Sequence, residues 1–319
     1  MEYRKLISFG KSSYVVSLPK AWVTQNKLKK GDLIYFDEAA NNLVLQPRPS
    51  STVEEEKKIT INVDGKDLRR IYRELISAYI QNHKTISLVG NDIKGKAKDI
   101  QKLIQNLVAL EILEQDSKKI IAKDFLNLND ISLDQIIRKM DVITHSMLKD
   151  CQEMFTEDNY ENIYHRDSDV NKFRFLIFRI IWYGLENPAL IYKKLKLNQR
   201  DIFNYWWLAY SLEAIADYAK RIARQMREVQ LSPKGKKEFI ELLGIIETMQ
   251  AEIMKAYYTK NIEKVHDVLQ ERYNLIQHCD DFYNRNKTVN GVGYLVYNLK
   301  SLITTAHTIG RIVYEGMPG

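Results

Sequence analysis

Between Ser132 and Gly316 the chain carries only two prolines, Pro188 and Pro233, and its apolar residues recur at three- and four-residue spacing. That pattern constrains the whole stretch to amphipathic helices. The interruptions carry turn chemistry, at Asn187-Pro188, Ser232-Pro233 and Asn290-Gly291. The pattern predicts six helices, at about 132–156, 158–186, 198–230, 233–258, 260–288 and 291–316.

These helices form two tandem units. Shifting the third helix by 87 residues places Tyr210 on Tyr297, Leu212 on Leu299, Ile215 on Leu302, Ala219 on Ala306 and Ile222 on Ile309. Shifting the second by 102 places Asn159 on Asn261, Glu161 on Glu263 and Ile163 on Val265. The expectation is a bundle of two three-helix repeats, about 130–230 and 232–316, within a helical domain of 130–319. On the third helix, Leu208, Leu212, Ile215, Ala219, Ile222 and Met226 share a core face, while Trp206, Tyr210, Glu213, Asp217, Lys220 and Arg224 lie elsewhere. Glu213 and Asp217 are one turn apart and point the same way. Such a pair holds a cation if further ligands join it, or forms a solvated face bridged to Lys220 and Arg224.

Two smaller segments precede the helices. Residues 58–127 alternate in type: "KITINV" is a strand, Asp67–Gln81 a helix, "KTISLV" a strand, Ile93–Val108 a helix, and "LEILEQ" and "KIIAKDF" two strands. This is a small α/β module of order βαβαββ. Residues 50–57 read as a linker, inside the proline-, serine- and charge-rich stretch Pro47–Lys58. Residues 1–49 read as β. Strands are expected at Arg4–Phe9 and Tyr14–Leu18, then a short helix over Ala21–Lys27 with Pro19 in its first turn and Ser17 as cap. "LKKGD" is a turn, and a final hairpin joins "LIYFDE" to "NLVLQP". Fewer than 50 residues cannot bury a stable core alone, and no disulfide is available here, so obligate dimerisation is expected.

The only cysteines are Cys151 and Cys279, at no motif spacing, which fits a reducing, cytoplasmic setting. Met1 is followed by charged, strand-like sequence rather than by a signal peptide. The most apolar stretch, Phe173–Leu185, is interrupted by Arg174 and Arg179 and is too short to span a bilayer, so no membrane insertion is expected. The net charge of +7 permits a polyanionic partner. No histidine, cysteine or carboxylate spacing marks a catalytic site, and the six scattered histidines read as structural.

"EAIADYAKRIAR" (Glu213–Arg224) resembles the PhoU signature, a Glu-x-x-x-Asp followed by an aromatic residue and Ile-Ala. The resemblance implies a flattened bundle of two three-helix repeats, each able to build a metal cluster from Glu/Asp-x-x-x-Asp pairs. The partner motif on the second helix would be "DSDVN" (Asp167–Asn171), with Asn171 where an aspartate is expected. In the second repeat Glu213 and Asp217 are replaced by Lys300 and Thr304. The metal candidates are therefore Glu213, Asp217, Asp167 and Asp169, for a divalent or iron-type metal ion on the first repeat only.

At the other end, "YRKLISFGKSS" (Tyr3–Ser13), "VVSLPKAW" (Val15–Trp22), "LKKGD" (Leu28–Asp32) and the final hairpin resemble the AbrB/MazE swapped-hairpin DNA-binding domain. In that fold two chains interleave hairpins. Residues 1–49 hold eight lysines and arginines against four acids, a net of +4 per chain. The expected DNA contacts are Arg4, Lys5, Lys11, Ser12, Ser13 and Lys20, through phosphate neutralisation and hydroxyl donation. An AbrB-like head, an α/β module and a PhoU-like body together resemble archaeal PhoU-type regulators. The resemblance implies a dimeric transcription regulator of double-stranded DNA, tied to phosphate uptake or metal-ion homeostasis. The alternative is a signalling adaptor docking on a phosphate transporter component or another protein, with the head serving only dimerisation.

Overall fold

A computed structural model describes residues 3–39, 42–47, 56–127 and 130–316. The chain divides into two compact units, Met1–Glu55 and Glu56–Gly319. Most of the expected linker, 50–57, lies outside the described residues.

The first unit has two hairpins and one helical turn. Strands β1 (Ile7–Phe9) and β2 (Ser13–Val15) pair antiparallel, with Ile7 opposite Val15 and Phe9 opposite Ser13. Both are shorter than the alternation in the sequence predicts. Gly10 turns the corner at φ +71°, a conformation that costs glycine little. Helix α1 (Lys20–Gln25) follows Pro19, whose backbone is still extended at ψ 129°. Ser17 does not cap it, and no side-chain cap bond is made at this end. In the "LKKGD" turn the Asp32 carboxylate accepts from the Lys29 amide at 2.7 Å. Strands β3 (Tyr35–Ala39) and β4 (Asn42–Gln46) form the second hairpin.

The second unit begins with the α/β module: β5 (Lys58–Asn62), α2 (Leu68–Ile80), β6 (Thr85–Val89), α3 (Ile93–Gln105), β7 (Leu110–Gln115) and β8 (Lys119–Asp124). The sheet order is β5-β6-β8-β7, with β5 and β6 parallel and the other pairs antiparallel. Asp67 caps α2 by accepting from the Arg70 amide at 2.7 Å. Ile71, Leu75, Tyr79, Ile86, Leu88 and Ile100 form the module's core, which Phe175 of the helical body joins.

The helical body comprises α4 (Leu133–Glu153), α5 (Tyr160–Glu186), α6 (Pro188–Leu195), α7 (Gln199–Met226), α8 (Pro233–Thr259), α9 (Ile262–Gln270), α10 (Arg272–Asn286) and α11 (Val292–Gly316). Local sequence explains the starts. Ser132 and Ser232 cap α4 and α8 through the amides of Gln135 and Gly235. Asn198 and Asp201 form a reciprocal capping box at α7. Two differences from the six-helix expectation stand out. The loop after Pro188 holds a further helix, α6, ended by Lys196 at φ +58°. The expected 260–288 helix is broken at Glu271 into α9 and α10.

The repeat persists in three dimensions. Leu212 and Leu299, Ile215 and Leu302, Ala219 and Ala306, and Ile222 and Ile309 are all buried in one core, while Tyr210 and Tyr297 are both exposed. Helices α7 and α11 pack on each other, joining the set α4, α5, α7 to the set α8, α9/α10, α11. Among the described residues no helix is long and apolar enough to cross a membrane.

Candidate functional site

Strands β1 and β2 have no buried face. Every described residue of β1 and β2 is exposed, with Ile7 at 60%, Phe9 at 71% and Tyr14 at 70%. Leu6, Leu33, Phe36 and Leu43 are exposed as well, and no described residue of Met1–Glu55 is buried. An apolar set of this size, open on a small unit, marks an interaction surface.

The six expected DNA contacts fall into three places on this unit. Lys11, Ser12 and Ser13 stand together at the tip of the β1–β2 hairpin, beside Gly10. Arg4 and Lys5 precede β1, at the open end of the same hairpin. Lys20 opens α1. All six are exposed. The tip can present an ammonium, two hydroxyls and the turn backbone to one anion, whereas Arg4 and Lys5 reach a different point.

The carboxylate face of the body is built on α5 and α7. Asp167, on α5, is buried, and Lys220 of α7 donates to its Oδ2 at 2.6 Å. The same ammonium lies 3.0 Å from Asp217 Oδ1, and Arg221 one turn on takes Asp217 Oδ2. Glu213 faces the Arg174 guanidinium of α5 at 3.8 Å. Asn171 donates back to the Asp167 carbonyl at 3.0 Å. Burial raises the Asp167 carboxyl above its ordinary range, with Lys220 opposing, and burial likewise raises Glu213, opposed by Arg174. Burial alone would lower Lys220, but its contacts with Asp167 and Asp217 outweigh it and the ammonium is held more tightly.

This arrangement does not fit a metal ion. The Lys220 ammonium already lies between Asp167 and Asp217, where a shared cation would sit. Asp169 is exposed while Asp167 is buried, so it does not join the set. Among the described residues no three of His, Cys, Asp and Glu are grouped so as to hold a metal ion. The salt-bridged alternative describes the face: Lys220 pairs as expected, Arg221 and Arg174 are added partners, and Arg224 makes no ion pair among the described residues. Arg221 was legible four residues after Asp217, whereas Arg174 sits on another helix.

The second repeat carries the opposite charge at the position of Glu213. Lys300 of α11, at the position of Glu213, pairs with Asp280 of α10 at 2.5 Å. The Glu213–Arg174 pair has its acid on α7 and its base on α5; Lys300–Asp280 has them the other way round, the order that Lys220–Asp167 already has in the first repeat.

A third cluster was not legible. Arg179 of α5, 1% exposed, donates to Asp124 Oδ2 at 2.5 Å and to Asn82 Oδ1 at 3.1 Å. Its guanidinium lies 4.5 Å over the ring of Tyr79. Lys84 donates to the same Asp124 oxygen at 2.6 Å. This knot joins the end of β8 and the residues after α2 to the body. One side of α7 also carries exposed rings, Phe203, Trp206, Trp207 and Tyr210, of which Trp206 meets Phe178 of α5 edge-on at 5.9 Å.

Two family models match the chain. One, described as antidote-toxin recognition MazE, bacterial antitoxin, matches residues 7–61. The other, the PhoU domain, matches residues 137–226, from within α4 to the end of α7. Among solved structures, PhoU from Pseudomonas aeruginosa is similar at 14% identity and a TM-score of 0.42, covering 57% of this chain and 90% of that one. No curated protein matches.

Proposed function

We propose that this chain, which joins a MazE/AbrB-like N-terminal domain to a PhoU domain, is a dimeric DNA-binding regulator linked to phosphate. The observation that carries the reading is the head. It exposes all of its apolar strand residues in β1 and β2 and bears a net +4 charge over residues 1–49. A second copy supplies the missing half of the core, and two hairpin tips then present Lys11, Ser12 and Ser13 to the duplex. Lysines that neutralise phosphates release counterions, so binding falls steeply with salt. The PhoU-like body acts as the sensing or protein-docking module and performs no chemistry.

The test is duplex binding by the full chain across a salt series. Lys11→Ala weakens binding to all sequences. It also flattens the slope of log K against log salt by about 1 for each phosphate that is no longer neutralised, hence about 2 in a dimer. Unchanged affinity and slope would remove Lys11 from the interface.

The exposed row Phe203, Trp206, Trp207 and Tyr210 favours a second reading, in which the body docks on a phosphate transporter component or another protein and the head only dimerises. Deleting residues 1–49 separates the two. Duplex binding disappears in the first reading and is absent from the intact chain in the second.

A further inference from the structure

A cavity of about 750 Å³ opens between α2 of the module and α5 of the body. Two guanidiniums line it, from Arg73 and Arg174, and no carboxylate does. Arg73 is exposed and makes no ion pair or hydrogen bond among the described residues. Arg174 is half-buried, and its Nε is buried without a partner. Three rings form the apolar walls. Tyr72 meets Phe175 edge-on at 6.5 Å, and Trp182 is half exposed with no ring against it. Asn171 adds an amide.

This composition specifies a ligand. Arg73 has no counter-charge among the described residues and Arg174 shares only the Glu213 carboxylate at 3.8 Å, so the pair can meet the charge of a phosphate monoester, roughly −1.5 to −2, and the guanidinium fork suits phosphate oxygens. An open indole face beside two further rings suits a planar aromatic group. The size and the junction position are those of small-molecule sites. We propose that this cavity binds a phosphate monoester whose molecule also bears a planar aromatic ring, a nucleoside monophosphate being the chemical type.

The site is wired to the carboxylate face. Arg174 is also the partner of Glu213, and Asn171 also donates to Asp167. A phosphate that recruits Arg174 draws it from Glu213, so occupancy between module and body is felt on α7. The inference goes beyond the DNA-binding reading and does not depend on it.

The experiment is titration calorimetry of the full chain with adenosine monophosphate, adenosine and inorganic phosphate. Adenosine monophosphate binds saturably, and the other two bind at least tenfold more weakly. Arg73→Ala, which removes an exposed side chain with no partner, weakens adenosine monophosphate at least tenfold. Trp182→Ala weakens it by a similar factor but leaves phosphate unchanged. No binding of adenosine monophosphate at millimolar concentration overturns the proposal, as does binding that Arg73→Ala leaves intact. Phosphate binding as tight as adenosine monophosphate overturns the ring half of it, and adenosine binding as tight overturns the phosphate half.

Discussion

The buried ion pair between Arg179 and Asp124 is asymmetric, and its two halves are expected to fail differently. The Asp124 side chain is fully buried and has three donors: Arg179 at 2.5 Å, Lys84 at 2.6 Å and the Leu126 amide at 3.0 Å. Arg179, also buried, has one carboxylate, one amide oxygen and the Tyr79 ring. Asp124→Ala therefore strands a guanidinium in the interior, a loss of about 3–5 kcal/mol. Arg179→Met leaves Asp124 held by Lys84 and the Leu126 amide. Its cost is closer to that of one charge-assisted hydrogen bond, about 1.5–3 kcal/mol. The double variant Asp124→Ala/Arg179→Met removes the stranded charge and is more stable than Asp124→Ala alone. Lys84, 38% exposed, turns to solvent. Urea unfolding of the full chain, followed by circular dichroism, reads all three. Equal costs for Arg179→Met and Asp124→Ala would refute this asymmetry, as would a double variant less stable than both singles.

Phe9→Asp places a charge in the apolar face of the head and abolishes both dimerisation and duplex binding. In the unaltered chain the head's melting temperature rises with protein concentration, as sedimentation and calorimetry would show. His307 is held below its ordinary value by burial and by Arg272 and Arg311. The folded state thus binds fewer protons than the unfolded state below about pH 6.5, stability is lost as pH falls through that window, and His307→Gln removes the loss, measured as urea midpoints from pH 7.5 to 5. Elemental analysis of protein purified without chelator finds no stoichiometric divalent or iron-type ion in the wild type or in Glu213→Gln/Asp217→Asn; a metal lost in the variant refutes the reading that Lys220 fills its place.

Local signals carried the elements further than they carried the site. Asp67, Ser132 and Ser232 announce helix starts because a cap acts within three residues. Helix α6 was hidden because Asn187-Pro188 ends one helix and also begins the next, proline costing nothing at a first turn. The break at Glu271 has no glycine or proline, and its backbone stays near helical at φ −71° and ψ −9°, so the periodicity runs through it. Arg174 and Arg179 read only as interruptions of an apolar run. Their partners are Glu213, on α7, and Asp124, on β8, so both roles were set by tertiary contact. The carboxylate pair on α7 was legible as one helical face, but the cations that neutralise Asp167 and Glu213 come from across a helix–helix contact and leave no periodic trace.

The change of charge between Glu213 and Lys300 bears on how the chain finds its fold. Two similar three-helix sets on one chain invite exchange of equivalent helices while both are forming, a known hazard of repeated sequences. If α5 docked on α11 in place of α7, Arg174 would meet Lys300. If α10 docked on α7, Asp280 would meet Glu213. At this one position each wrong pairing sets like charges at a partly buried contact, and each right pairing sets opposite ones. With lysine at 300 where the first repeat has Glu213, this one contact favours each half's own helices over the other's.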